Sequence, residues 1–188
     1  MLRTGLVLCV LMALQGCAAV LVAGGVGVAA SAHDRRSLGT QIDDKTATSR
    51  IYQAIAAEKD LDDASHIVVS VFNGVVLLTG QTPTDEFKRR AGELAAGVEN
   101  LRKVHNQIRI NQPTAPSTRA YDIWLASKVK TKLLADERVD GLHIEVVVED
   151  SEVFLLGLVN EDEAAIAVDI ARNADGVAQV IKAFEYRS

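Results

Sequence analysis

The sequence predicts an α+β protein of two tandem αββαβ units, each a three-stranded mixed sheet packed against two helices. Three observations lead there. His66-Ile67-Val68-Val69-Ser70-Val71 recurs as His143-Ile144-Glu145-Val146-Val147-Val148, and Val76-Leu77-Leu78-Thr79-Gly80 recurs as Val153-Phe154-Leu155-Leu156-Gly157, both at an offset of 77 residues. Apolar residues ahead of each repeat are spaced i, i+4, a helical period, whereas those inside it form the short dense runs of strands. Asn73-Gly74 separates two such runs, and both residues tolerate the positive φ of a tight hairpin.

Each unit opens with a helix whose buried stripe is Ile51 and Ile55 in the first, and Leu125, Val129 and Leu133 in the second. A hairpin follows, Ile67 to Phe72 with Val75 to Thr79; in the second unit Glu149 to Glu152 makes a less sharp turn. Thr82-Pro83 offers an N-cap with proline at the first helical position, and Asn160 with Glu163 has the spacing of a capping box. Asp85, Glu86, Glu161, Asp162 and Glu163 suit the positive end of a helix dipole. Val104 to Ile110 and Val177 to Tyr186 supply the closing strands. The first unit is read as 46–110, a linker as 111–120 with two of the three prolines, and the second unit as 121–188.

The N-terminus has a different composition. Arg3 precedes an apolar stretch from Leu6 to Leu14 that closes on Leu14-Gln15-Gly16-Cys17, so 1–16 reads as an export signal and 17–45 as a tether. The closing residues resemble the lipobox of bacterial lipoproteins, departing from the commonest pattern at Gln15. That resemblance implies cleavage before Cys17 and lipidation of its thiol and new amino group, and Ala18 in place of aspartate implies the periplasmic face of the outer membrane. The competing reading is a transmembrane anchor, since Leu6 to Ala32 carries no charge, although Gly24, Gly25 and Gly27 weaken a helix there. Gly25-Val26-Gly27 lacks the preceding strand of a phosphate-binding loop and reads as tether.

Charge and residue content narrow the functional classes. The 188-residue chain is 48% hydrophobic with a net charge of −5, which gives no overall footprint for nucleic acid. Cys9 and Cys17 both lie in the N-terminal segment, leaving neither a disulfide framework nor a cysteine metal site for the globular part. His33, His66, His105 and His143 have no metal-type spacing, and no serine sits in a Gly-x-Ser-x-Gly frame. His66 and His143 read as surface residues before a strand. Glu161-Asp162-Glu163 reads as helix-start charge, because consecutive helical residues point in different directions. No catalytic set, metal or cofactor is expected.

The strand-plus-glycine segments Leu78-Thr79-Gly80 and Leu155-Leu156-Gly157, the helix after each, and the closing patterns Leu101, Val104, Ile108 and Val177, Val180, Phe184 resemble the BON domain. With the lipobox, Gly39-Thr40-Gln41-Ile42-Asp43-Asp44 and Glu152-Val153-Phe154-Leu155-Leu156-Gly157-Leu158-Val159, the chain is similar to the dual-BON outer-membrane lipoproteins.

One helix carries the functional expectation. Counting about 100° per residue from Trp124, the core stripe Leu125, Val129, Leu133 lies on one side, and Trp124, Ser127, Thr131 and Leu134 lie opposite, flanked by Lys128 and Lys130. From Tyr121 to Ser188 there are seven Lys and Arg against fourteen Asp and Glu, so Lys128, Lys130 and Lys132 form a basic island. Tryptophan favours the headgroup level of a bilayer and lysine attracts anionic lipid, which makes this a candidate peripheral lipid-binding helix. The structural alternative packs Trp124 against Tyr121 or the first unit. The BON resemblance implies anionic phospholipid binding, phosphatidylglycerol above all, through this helix, with Trp124, Lys128, Lys130 and Leu134 at matching positions and Ser127 and Thr131 carried by geometry. It further implies a role in envelope integrity, recruitment to division sites and contacts with envelope-assembly or division proteins. The first unit's helix, Arg50 to Lys59, has no comparable face and is assigned to scaffold. The rival function is a periplasmic adaptor that uses Trp124 as an anchor for a protein partner.

Overall fold

A computed structural model describes Asp34–Arg187, of which the residues from Arg35 onward form one compact unit containing both repeats. Cys17 and the export signal lie outside the described residues. Among those described, no helix is long and apolar enough to cross a membrane.

The first repeat runs α1 (Leu38–Ala57), α2 (Lys59–Ala64), β1 (His66–Phe72), β2 (Val75–Thr82), α3 (Asp85–Ala96), β3 (Lys103–Asn106) and β4 (Arg109–Ile110). The second runs α4 (Pro116–Ala135), a 3-10 turn (Gly141–His143), β5 (Ile144–Glu149), β6 (Glu152–Val159), α5 (Glu161–Arg172) and β7 (Gln179–Tyr186). In each sheet the hairpin is antiparallel and the closing strand joins parallel to its second strand, which makes the sheet mixed.

Several boundaries differ from the sequence reading. α1 begins at Leu38, where Ser37 accepts a hydrogen bond from the Thr40 amide, so 38–45 is helix and not tether. α4 begins at Pro116, which shortens the linker to 111–115. The cap of α3 is Thr84, which accepts from the Phe87 amide; Thr82 is buried in β2 opposite Ile110 and cannot serve. The last strand of the first unit breaks where Ile108 turns fully into the core. The expected capping box at Asn160 and Glu163 is present.

Helices cover one face of each sheet. Ile51, Ile55, Leu61, Val76, Leu78 and Ile108 fill the first core, and Leu125, Val129, Leu133, Ile144, Val153 and Leu155 the second. Each such fully buried side chain stabilises by roughly 1.5–3 kcal/mol. The opposite faces of the two sheets meet in a third apolar cluster built on Phe72, Leu77, Phe154 and Leu156. The molecule is therefore a four-layer stack, helices outside and two sheets in contact inside, which nothing in the linker composition indicates. Polar groups cross the same seam: Gln81 Nε2 donates to Glu149 Oε1 at 2.8 Å with His66 Nε2 3.5 Å from Glu149 Oε2, and Arg102 and Asn73 both bind Glu185 at 2.8 Å. His66 is thus a half-buried seam residue, its pKa lowered chiefly by burial, rather than a loop residue on the surface. Burial likewise raises the Glu149 carboxyl.

Two devices recur in both repeats. The first is an aspartate on the opening helix that closes the hairpin. Asp44 accepts from the Asn73 and Gly74 amides at 2.7 and 2.8 Å, and Asp122 accepts from Asp150 and Ser151 at 2.9 Å each. Asp150 and Ser151 both have positive φ, 51° and 63°, as Asn73 and Gly74 do at 52° and 72°. The second turn is therefore as tight as the first, held by Asp122 instead of by a permissive glycine. The second device is the glycine of β2 and β6. A Cβ on Gly80, whose φ is +103°, would lie 2.0 Å from the His66 carbonyl oxygen, and one on Gly157 would lie 2.5 Å from that of His143.

Directly after Asp34, two consecutive arginines reach different repeats. Arg35 makes a bidentate pair with Glu163, at 2.8 and 2.6 Å, and donates to the Leu158 carbonyl at 2.8 Å. Arg36 donates to Asp44 at 2.7 Å and lies 3.9 Å over the Phe72 ring. The Arg35 hydrogen bond, helped by the Asn160 amide, holds the Glu163 carboxyl at about 2, against an ordinary 4.5. Because the folded pKa lies below the unfolded one, the stabilisation is complete above pH 4.5 and is lost as pH falls toward 2. Urea unfolding at stepped pH is expected to show native chain and Arg35→Gln differing by a constant amount near neutrality and converging across that acid window. A difference that persists undiminished at the acid end would contradict the assignment.

Candidate functional site

α4 presents the residues singled out from sequence, and their surroundings divide them into two groups. Asp122 fixes the helix to the β5–β6 turn, while Leu125, Val129 and Leu133, all fully buried, fix its rotation. The outward face then carries Ile123, 70% exposed, Trp124, 52%, and Leu134, 50%. The Trp124 ring lies 5.4 Å from the Tyr121 ring at 35° and 5.1 Å from the Lys128 ammonium. These contacts leave the indole about half exposed, as the outward reading expects, and of the alternative packing the contact with Tyr121 is present. Ser127 and Thr131 are exposed between these apolar residues, their hydroxyls donating to the carbonyls of Ile123 and Ser127 at 3.0 and 2.8 Å.

The two lysines are placed differently from the expectation of a free cationic rim. Lys130 Nζ donates to the Gly141 and Ile144 carbonyls at 2.7 and 2.5 Å, and burial lowers its pKa. It ties α4 to the start of β5 and does not face solvent as a headgroup ligand would. Lys128 Nζ donates to the Asp175 carbonyl at 2.9 Å, with the Asp175 carboxylate at 3.4 Å, while it covers the Trp124 ring. Lys132 alone of the three is well exposed, on the side of the helix toward Lys128. The surface is consequently more apolar and less basic than the helical pattern suggests.

Two contributors escaped the sequence reading. Ile123 lies one residue before Trp124, and continuing the 3.6-residue period back from Ser127 and Leu134 places it on the same face. Leu142, 53% exposed, stands on the 3-10 turn packed against the last turn of α4, and only the fold brings it there: a Cβ on Gly141 would sit 2.6 Å from the Leu133 carbonyl. On α1, Leu38 and Ile42 are also exposed, one turn apart, ahead of Arg50 to Lys59. Among the described residues no group of three or more His, Cys, Asp or Glu is arranged to hold a metal ion.

The BON domain model matches residues 43–112 and 121–188, and the chain belongs to the BON-domain family, as a protein with two copies. The outer membrane lipoprotein DolP of Haemophilus influenzae is 38% identical over 92% of this chain and 90% of its own length. The 21 kDa hemolysin of Actinobacillus pleuropneumoniae is 37% identical over 81% of this chain and 79% of its own. The osmotically-inducible protein Y of Escherichia coli is 30% identical over 76% and 72%.

Proposed function

We propose that this protein is an outer-membrane lipoprotein, held on the periplasmic face through Cys17, whose second BON domain binds anionic phospholipid through α4 and supports envelope integrity. The relatives support an envelope lipoprotein. The observation that carries the lipid reading is the face of α4, where Ile123, Trp124, Leu134 and Leu142 are each at least half exposed on a domain whose other large apolar side chains are mostly buried. Large apolar side chains gathered at one place on a soluble domain mark a surface that meets something else. An indole propped between a tyrosine and a lysine has the amphipathic character suited to the headgroup boundary.

In this reading the contact is chiefly interfacial insertion of Trp124, Ile123 and Leu134, with Lys132, and Lys128 on exchanging its exposed Asp175 contact for a headgroup, supplying the preference for negative lipid and Ser127 and Thr131 offering hydroxyl oxygens. Lys130 acts as a brace for the helix. No step of chemistry is required of the protein; it binds rather than catalyses. Recruitment to division sites would follow from enrichment of anionic lipid there. Because the ammonium groups of Lys128 and Lys130 are occupied by main-chain carbonyls, the same apolar face also suits a protein partner, and an adaptor anchored on Trp124 is the second reading.

Vesicle binding separates them. The chain from residue 34 onward, which contains all three apolar clusters, is expected to bind phosphatidylglycerol vesicles and to leave zwitterionic vesicles largely alone. Trp124→Glu should weaken that binding about tenfold or more while circular dichroism stays native. Equal binding by both proteins, or none by either, removes α4 as the lipid site and favours the adaptor.

A further inference from the structure

We propose that Arg35 and Arg36 form a strap that fixes where the N-terminal tether leaves the folded body, at the Leu134–Leu142 end of α4. A lipid anchor on Cys17 and the apolar face of α4 then approach one bilayer together; this rests on the α4 reading above. The strap is built from two consecutive guanidinium groups that engage different domains. Arg35 and Glu163 are each four-fifths buried at the side chain, and the planar fork matches both carboxylate oxygens while its Nη1 also satisfies the Leu158 carbonyl. Arg36 engages Asp44, the clamp of the first domain's hairpin, and stacks on Phe72, a member of the cluster between the two sheets.

The position follows from register. Leu158 adjoins Gly157, which pairs with Ile144; the Ile144 and Gly141 carbonyls receive Lys130, and Leu142 stands between them. Asp140, which leads into that turn, helps raise the Arg35 pKa after the larger influence of Glu163. Arg35 therefore lies at the same end of the second sheet as the apolar tip of α4, although in sequence it precedes the first domain. An unpinned chain terminus would let the anchor pull on the folded body from any direction. A pinned exit beside the lipid-facing helix raises the local concentration of that helix at the membrane. Arg35 acts as a positioning residue, through Glu163, and touches no lipid.

The lipidated full chain, reconstituted in phosphatidylglycerol vesicles containing brominated lipid, reports the approach of α4 through its single tryptophan. Quenching of Trp124 should fall about threefold in R35Q/R36Q relative to the native chain. The same two substitutions in the chain from residue 34, which has no anchor, should leave vesicle affinity and circular dichroism native. Undiminished quenching in the lipidated variant overturns the strap, as does an equal loss of affinity in the anchor-free chain, which would mean that the substitutions disturb α4 itself. A double-mutant cycle of Arg35→Gln and Glu163→Gln, read by urea unfolding without lipid, tests the strap apart from the α4 reading. Non-additive effects support it, and additive effects overturn it even where vesicles bind.

Discussion

Gly80→Ala is expected to be among the most damaging single substitutions in the chain. The new Cβ would fall 2.0 Å from the His66 carbonyl oxygen, and the backbone at φ +103° is one that side-chain-bearing residues rarely adopt. Neither partner can retreat cheaply: His66 and Ile67 are registered against Gln81 and Gly80 in the hairpin, and Val69 and Leu78, further along, are core. The strand must shift or the first domain must open, at about 3–5 kcal/mol. Gly157→Ala meets the His143 carbonyl at 2.5 Å and should be nearly as costly, with an added consequence, since the neighbouring Ile144 carbonyl is one of the two that hold Lys130 against α4. Urea unfolding followed by far-ultraviolet circular dichroism measures both. Gly39→Ala is the control, an exposed helical position whose added methyl meets only the Ser37 hydroxyl at 3.6 Å, and it should leave stability unchanged or slightly raised. Parity among the three would show that the close approach of carbonyl and glycine is not a constraint on the fold.

Asp122→Ala should follow closely. Its carboxylate, almost wholly buried, accepts two amides at 2.9 Å and thereby holds Asp150 and Ser151 in the left-handed region that neither residue prefers. Losing both charge-assisted bonds and the turn they maintain should cost about 2–4 kcal/mol, whereas Asp122→Asn, with one acceptor oxygen left, should cost roughly half as much. Asp122 lies two residues before Trp124 on the same turn of helix, so the loss extends to the exposed face of α4. Phosphatidylglycerol vesicle affinity should fall for the alanine variant more than for the asparagine one. A variant that kept native urea stability would show the turn to be self-sustaining.

The legible parts of this molecule were those where a short-range pattern and the long-range fold ask for the same thing. The offset-77 repeat, the Asn73-Gly74 hairpin, the Asn160–Glu163 capping box and the buried stripe Leu125, Val129, Leu133 all persist in the structure because each is satisfied within a few residues or one period. The errors mark competition between local signals and tertiary demands. Thr82-Pro83 has the form of a helix start, but Thr82 is held in the sheet opposite Ile110, so the cap passes to Thr84. The turn at Asp150-Ser151 has no glycine, and its sharpness comes from an aspartate 28 residues away. Lys130 occupies an outward position on a helical projection, yet the 3-10 turn covers that side and takes its ammonium.

Read alone, the sequence was enough for the fold class, the duplication and the membership of Trp124 and Leu134 in an outward helical face, since hydrophobic period and cap chemistry are carried by neighbouring residues. The contact of the two sheets through Phe72, Leu77, Phe154 and Leu156, the packing of the 3-10 turn that carries Leu142 against the end of α4, and the reach of Arg35 to Glu163 were decided by the assembled structure. These depend on pairings between residues far apart in the chain, whose complementarity of shape and charge exists only once both repeats have folded and closed on each other.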